Sequence, residues 1–157
     1  MVSTTLRDPA APPATRLVLP LQLDELWIAI DPTCVLELLG ARTWMRVPGA
    51  APSLPGILSW RSRVIAVLDL REVLGITARS TTPPPRTVVA RVLDCTFAFF
   101  VDMAREARTV DEAALSTPHA VTGRFVKHQL SLDGRIMPFI DLAAVIDSVS
   151  RAPVDHA

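Results

Sequence analysis

Two stretches of this chain share one pattern of apolar and polar positions. Residues 63–74 read RVIAVLDLREVL, and residues 135–146 read RIMPFIDLAAVI, 72 positions later. A second match, AID at 29–31 and FVD at 100–102, recurs at an offset of 71. Repetition at this period predicts one small β unit that is used twice.

Alternation of apolar residues, broken by turn residues, predicts many short strands. The predicted strands are 16–23, 26–31, 44–47, 57–60, 64–70, 87–93, 96–102, 123–132 and 135–141. Short helices are predicted at 32–40, 71–75 and 142–149. The absence of a strand–helix–strand alternation argues against a parallel doubly wound sheet and favours a mainly β fold of two small barrels.

The same signals divide the chain into segments. Residues 1–15 and 150–157 read as tails, the first of them disordered, and residues 77–86, with three consecutive prolines, read as a linker. One domain is predicted over 16–149. Its first lobe is expected to hold 16–76 and 141–149, and its second lobe 87–140.

Composition narrows the classes of partner. The chain has 157 residues, half of them hydrophobic, and its formal net charge is zero. It therefore lacks the basic excess typical of proteins that bind nucleic acid or anionic membranes. No apolar run approaches the length of about 20 residues that inserts in a membrane, and the N-terminus has no apolar signal core, so a cytoplasmic protein is expected.

The residues that could carry chemistry have simpler interpretations. Cys34 and Cys95 lie far apart and fit buried reduced thiols, with a lone disulfide as the alternative. The three histidines, His119, His128 and His156, lack ligand spacing and fit surface residues, so neither a metal nor a cofactor is expected.

The repeated acids Asp69 and Asp141 could form a catalytic dyad, but each is followed by Leu rather than by Thr-Gly or Ser-Gly. Each carboxylate is more simply expected to cap the turn that follows it. No motif for phosphate binding or for an activated serine is present. An enzyme built on the two acids remains the alternative.

The remaining features are typical of a binding surface. Trp60 and Arg61 fall at a predicted hairpin tip, and both residue types are common anchors in interfaces. Val35 and Glu37 lie on the predicted 32–40 helix. In the simpler interpretation, Trp60 folds back on its own barrel and Val35 packs in the core.

Longer stretches resemble the CheW-like coupling domains of bacterial chemosensory systems. They are AIDPTCVLELL, RVPGAAPSLPGILSWRSRVIAVLDLREVLG, TVVARVLDCTFAFFVDMAREA and GRIMPFIDLAAVI, and they span roughly residues 16–149. The resemblance implies two SH3-like five-stranded barrels packed across a hydrophobic seam. It also implies an adaptor without catalytic activity, which bridges the tip of a methyl-accepting chemoreceptor to a CheA-type histidine kinase.

The resemblance further implies where the partners bind. Receptor contacts map onto Val35, Glu37, Arg61, Val88 and Val89. Kinase contacts map onto Arg46, Val47 and Gly56. Other CheW-like proteins are further partners that it implies.

This chain departs from the usual pattern of the family. Ser59-Trp60-Arg61-Ser62 replaces the usual Asn-Leu-Arg-Gly, and the small residues Ala104 and Ala107 stand where the family has larger apolar side chains. These departures leave a second hypothesis open, in which a divergent coupler binds only one of the two partners and limits assembly of the array.

Overall fold

The computed structural model describes residues 14–76, 84–116 and 123–151. Several predictions fall wholly or mostly outside this part of the chain, namely the tails at 1–15 and 150–157, the linker at 77–86, and the histidines His119 and His156.

The described residues form thirteen strands and two α-helices. The strands are β1 Thr15–Leu23, β2 Leu26–Ile30, β3 Val35–Leu39, β4 Met45–Arg46, β5 Gly56–Trp60, β6 Arg63–Val67, β7 Arg86–Val92, β8 Cys95–Val101, β9 Met103–Ala104, β10 Arg108–Asp111, β11 Leu115–Ser116, β12 Val126–Leu132 and β13 Arg135–Ile140. The helices are α1 Leu70–Leu74 and α2 Leu142–Arg151, and short 3-10 helices span Pro32–Cys34 and Glu112–Ala114.

The strands form two sheets, so the predicted mainly β class is confirmed. One sheet runs β10-β1-β2-β13-β12-β11, with β9 also paired to β1, and the other runs β3-β7-β8-β6-β5-β4. When the two-residue strands β4, β9 and β11 are set aside, each sheet has five strands. We call them the β1 sheet and the β3 sheet.

Membership of the sheets differs from the predicted lobes. The β1–β2 hairpin, from the first copy of the repeat, joins the β1 sheet through a parallel contact with β13 of the second copy, at Phe139 and Ala29. In the β3 sheet, β6 of the first copy pairs in parallel with β8 of the second, at Val67 and Ala98. Each sheet therefore combines one hairpin from each copy, whereas the predicted lobes (16–76 with 141–149, and 87–140) keep the hairpins of each copy together.

The β1–β2 and β7–β8 hairpins, each of which pairs with a strand of the other copy, bury both of their faces. Leu19, Leu21 and Ile28 face a large core between the two sheets, whereas the neighbouring Val18 and Ala29 face a smaller cluster inside the β1 sheet. The β7–β8 hairpin repeats this arrangement: Val88, Phe97 and Phe99 face the seam, and Val89 and Ala98 face the interior of the β3 sheet. Since alternate side chains of a strand point to opposite faces, one apolar hairpin serves both cores.

The repeated acids cap the two helices, as predicted. Asp69 accepts a hydrogen bond from the backbone N–H of Glu72 at 3.2 Å, and Asp141 accepts one from Ala144 at 3.2 Å. Gly75 ends α1 in the left-handed region with φ of 70°, where glycine carries no steric cost. Across the three described stretches, neither helix is long and apolar enough to span a membrane.

The predicted helix at 32–40 is wrong. Asp31 caps a single 3-10 turn over Pro32–Cys34, and the chain then continues as strand β3, paired with β7. The apolar residues at 35, 36, 38 and 39 fit the period of a helix as well as that of a strand. In the structure, side-chain burial alternates along β3, as in a strand. Pairing with the apolar strand β7 favours the extended conformation over the intrinsic helical preference of these leucines.

Candidate functional site

Glu37, Trp60 and Arg61 form a compact cluster, which we call the clamp. The Trp60 indole N–H donates to Glu37 Oε2 at 2.8 Å, and Arg61 Nη2 lies 3.3 Å from the same oxygen. The Arg61 guanidinium also stacks over the Trp60 ring, 5.0 Å from its centroid. Glu37 and Arg61, predicted for one binding surface, lie 24 positions apart in the sequence. Trp60, which the sequence suggests only as an interface anchor, contacts both of them.

The clamp joins two distant parts of the β3 sheet. Strands β3 and β5 are separated by β7, β8 and β6, which in a flat sheet corresponds to about 19 Å. The direct hydrogen bond between Glu37 on β3 and Trp60 on β5 therefore requires the sheet to curl strongly. This curl places the β5–β6 hairpin tip beside the edge strand β3.

Strand β3 supplies apolar surface next to the clamp. Val35 is half-buried and packs against the core of the seam, so part of it is available to a partner. Leu36 and Leu38 point the other way and are exposed. Sequence reasoning missed these two leucines, because the helix prediction hid the alternation that identifies them.

Val88 and Val89 are placed differently from the prediction. Both are fully buried, in the core of the seam and in the core of the β3 sheet respectively. Neither side chain is exposed, since β7 lies between β3 and β8 and both of its faces are covered, and the receptor contacts at Val88 and Val89 stay a prediction. Both valines belong to β7, the strand that pairs with β3.

A second surface lies at the opposite edge of the β3 sheet. Met45 and Val64 are 67% and 69% exposed and line an apolar depression with Ile57 and Trp44. Arg46 and Val47, both predicted kinase contacts, are exposed on and beside β4. The Arg46 guanidinium stacks over Trp44 at 5.0 Å. We call Met45, Arg46, Val47 and Val64 the β4 patch.

Gly56, the third predicted kinase contact, has a structural role. It is buried, and an added Cβ would lie 2.1 Å from the Met45 carbonyl oxygen and 2.7 Å from the Trp44 ring. The kinase contact at Gly56 stays a prediction. Its missing side chain allows β4 to approach β5, and so it sets the position of the β4 patch.

A buried ion cluster connects the two sheets near this patch. Arg71, with 13% of its side chain exposed, lies 3.0 Å from Asp24 Oδ2 and 2.6 Å from Asp102 Oδ2. Its Nη1 donates to the Phe100 carbonyl at 3.3 Å. Asp24 lies in the β1–β2 turn and Arg71 follows β6, so the cluster fastens one sheet to the other. It borders a cavity of about 220 Å³ that Trp44 and Arg46 also line.

The candidate catalytic residues do not form a site. Asp69 and Asp141 line two different cavities, and each caps its own helix, which contradicts a shared-proton dyad. Within residues 14–76, 84–116 and 123–151, no group of three or more His, Cys, Asp or Glu side chains could hold a metal.

The cysteines and the one described histidine have local roles. Cys34 and Cys95 are free and half-buried. Burial, and then the charge of Asp31, raises the pKa of Cys34 to about 11, so the thiol stays protonated at neutral pH. Burial, and then the charges of Arg16 and Lys127, lowers the pKa of His128.

Comparison with known proteins decides the family. The model of the CheW-like domain matches residues 18–150 of this chain. The chain belongs to the CheW-like domain family. Membership of this family assigns it to chemotaxis signalling, in the role of a scaffold or adaptor.

Relatives of the CheW-like chain include two bacterial proteins named chemotaxis protein CheW. That of Bacillus subtilis is 30% identical over 109 residues, which cover 67% of this chain and 70% of the relative. That of Thermotoga maritima is 26% identical over 136 residues, 85% of this chain and 89% of the relative. The crystal structure of the scaffolding protein TtCheW from Thermoanaerobacter tengcongensis has the same fold, with a TM-score of 0.74 at 23% identity over 81% of this chain and 89% of that one.

Proposed function

We propose that this CheW-like protein is a non-catalytic adaptor that couples methyl-accepting chemoreceptors to a CheA-type histidine kinase in the cytoplasm. The receptor tip contacts the clamp and the exposed side of β3, and the kinase contacts the β4 patch. Both contacts bias the conformations of the kinase through one shared scaffold. The observation that carries this proposal is the meeting of Glu37 and Arg61, which forms a charged rim beside the apolar residues of β3.

The clamp and the exposed side of β3 combine charge with apolar area, which suits a helical partner. Leu36 and Leu38, on the exposed side of β3, offer apolar area to one face of an amphipathic helix. Arg61, 69% exposed at its side chain, keeps donors available for a charge-assisted bond at the rim. An exposed ion pair adds little to stability, so this arrangement is better explained by binding than by folding.

The β4 patch suits a different kind of contact. Met45 and Val64 are exposed apolar side chains on adjacent parts of one curved edge, with Arg46 at their rim. Apolar centres with arginine nearby are typical of protein interfaces. The clamp and the β4 patch share no residue, so we expect one molecule to hold two partners at once.

Titration calorimetry with a receptor tip fragment and with the regulatory domain of the kinase tests the proposal. Arg61→Ala is expected to weaken receptor binding about tenfold, leave kinase binding intact, and shift the melting temperature by less than about 2 °C. Arg91→Ala is the matched control, because Arg91 is also exposed near a hairpin turn beside an acid. A large loss of stability in Arg61→Ala would mark Arg61 as structural.

The kinase surface has its own variant. Val64→Asp places a charge in the β4 patch and is expected to abolish kinase binding while receptor binding persists. Leu93→Asp, at an exposed apolar position of the β7–β8 turn, is the control. Failure of the wild-type protein to bind either partner would sink the proposal.

A second candidate function is favoured by the departures at the hairpin tip. Ser62 replaces the usual Gly although its φ is 62°, and Ala104 presents a small side chain against the seam. A divergent coupler that binds only one partner would bind the receptor fragment without the kinase domain, or the reverse. The same two titrations separate it from the full adaptor.

A further inference from the structure

Trp60 contacts both charged members of the clamp. Its indole N–H and the Arg61 guanidinium both reach Glu37 Oε2, at 2.8 and 3.3 Å, and its ring lies under the guanidinium at 5.0 Å. The three side chains therefore form a closed triangle. The Trp60 ring is also packed against the core of the β3 sheet.

Without Trp60 the two charged side chains would have little to hold them. Both side chains are long, and 31% of the Glu37 side chain and 69% of the Arg61 side chain are exposed. An isolated ion pair of this kind is too weak to fix several rotatable bonds. An indole has only two side-chain torsions, so its packed ring is a rigid support.

The backbone at the tip gives an independent indication. Arg61 and Ser62 have φ of 46° and 62°, values that are costly for residues with a Cβ. A strained turn persists where surrounding contacts hold it in place, and such turns concentrate at functional sites.

We propose that Trp60 is a positioning residue, which fixes Glu37 and Arg61 in one arrangement before a partner binds and thereby strengthens binding at this surface. Glu37 Oε1 receives no hydrogen bond from the described residues, and Oε2 is already occupied. A partner therefore meets one fixed acceptor and one fixed guanidinium side by side. The identity of that partner rests on the proposed function, whereas the positioning concerns this chain alone.

Two variants separate the contacts that Trp60 makes. Trp60→Phe retains a ring under Arg61 but removes the N–H donor to Glu37, and Trp60→Leu removes both and introduces the residue usual in the family. Trp27→Phe is the matched control, since it removes an indole N–H from the β1 sheet. Trp60→Phe is also the variant that preserves the packing volume best.

Side-chain scalar couplings about χ1, measured by NMR on the full chain, test the positioning without any partner. Glu37 and Arg61 are expected to populate one rotamer each in the wild-type protein and in Trp27→Phe. Glu37 becomes averaged in Trp60→Phe, and both residues become averaged in Trp60→Leu. Unchanged couplings in Trp60→Leu would overturn the proposal.

Affinity for the receptor tip fragment tests the consequence for binding. Ordering a long side chain on association opposes binding, so Trp60→Leu is expected to bind about tenfold more weakly, and Trp60→Phe a few-fold more weakly, with Trp27→Phe unchanged. Wild-type affinity in both Trp60 variants would overturn the role of Trp60 in binding. If the wild-type protein binds no receptor fragment, the proposed function fails, and the couplings still decide whether Trp60 positions the clamp.

Discussion

The β5–β6 and β12–β13 hairpins are the same element of the repeat, yet their tips differ. Each turn has two residues with positive φ, as a tight hairpin with right-handed strand twist requires. At the β12–β13 tip these residues are Asp133 and Gly134, a favoured pair for such a turn. At the β5–β6 tip they are Arg61 and Ser62, neither of which adopts this conformation easily.

The difference between the two tips shows where the backbone conformation is locally unfavourable. The Asp133-Gly134 turn follows its local preference, and Asp133 pairs with Arg108. The Arg61-Ser62 turn opposes its local preference, and it is held by Trp60 and Glu37. Strain thus accompanies the tip that carries the candidate binding residues, which fits a surface selected for geometry rather than for stability.

The largest effect is expected at Arg71, whose repeat equivalent is Ala143. Arg71→Ala leaves the carboxylates of Asp24 and Asp102 facing each other with little exposure. It should lower the free energy of unfolding, measured in urea, by about 3 kcal/mol. Arg151→Ala, which breaks an exposed pair on α2, should change it by less than about 0.5 kcal/mol. Equal effects of the two variants would contradict a buried cluster between the sheets.

The two helix caps should have effects of intermediate size. Asp69→Ala and Asp141→Ala each remove the acceptor for one N–H in the first turn, and each should cost about 1 kcal/mol. Asp69→Asn and Asp141→Asn keep an acceptor and should cost less than half as much. Loss of function in a variant of one aspartate that keeps full stability would instead revive a chemical role for these acids.

Exchange of the turn residues tests the comparison of the tips directly. Ser62→Gly relieves the left-handed conformation and should stabilise the chain by about 0.5 kcal/mol, after the larger entropy of unfolded glycine is included. Gly134→Ser should destabilise it by about 1 kcal/mol. Urea unfolding measures both, and a Ser62→Gly variant that is less stable than wild type would show that the first tip is not strained.

The smallest effect concerns Cys34, where the second copy has Arg105 instead. Because burial raises the pKa of this thiol to about 11, alkylation of folded Cys95→Ser protein should remain slow at pH 8.5 and accelerate only as the pH approaches 11. In urea the thiol should react at the rate of an ordinary cysteine. Any stability linked to this group is present below about pH 8.5 and is lost as the pH rises. Equal rates in folded and unfolded protein would contradict a protected thiol.

Local patterns predicted the elements that depend on local chemistry. The repeated Asp-Leu followed by an apolar tail correctly indicated a cap and a helix at both Asp69 and Asp141. The tight turns after Trp60 and Leu132 were also placed correctly. These caps and turns depend on residues within a few positions of one another, so a single sequence is enough to predict them.

Features that depend on distant pairing could not be predicted. The repeat shows that two units are alike, but it does not show that the β1–β2 hairpin pairs with β13 rather than with its own copy. For the same reason, the apolar run at β3 fits a helix by its sequence alone, and nothing local shows that β7, which holds Val88, lies inside a sheet. Glu37 and Arg61 were placed together only by resemblance to a family, since nothing in their spacing brings them into contact.

Simultaneous binding of both partners can be measured by sedimentation velocity of a mixture with the receptor tip fragment and the regulatory domain of the kinase. One complex that contains all three proteins is expected, and it should hold less receptor in Arg61→Ala and no kinase in Val64→Asp. If the two partners compete, so that only binary complexes form, the two surfaces overlap and the account is contradicted.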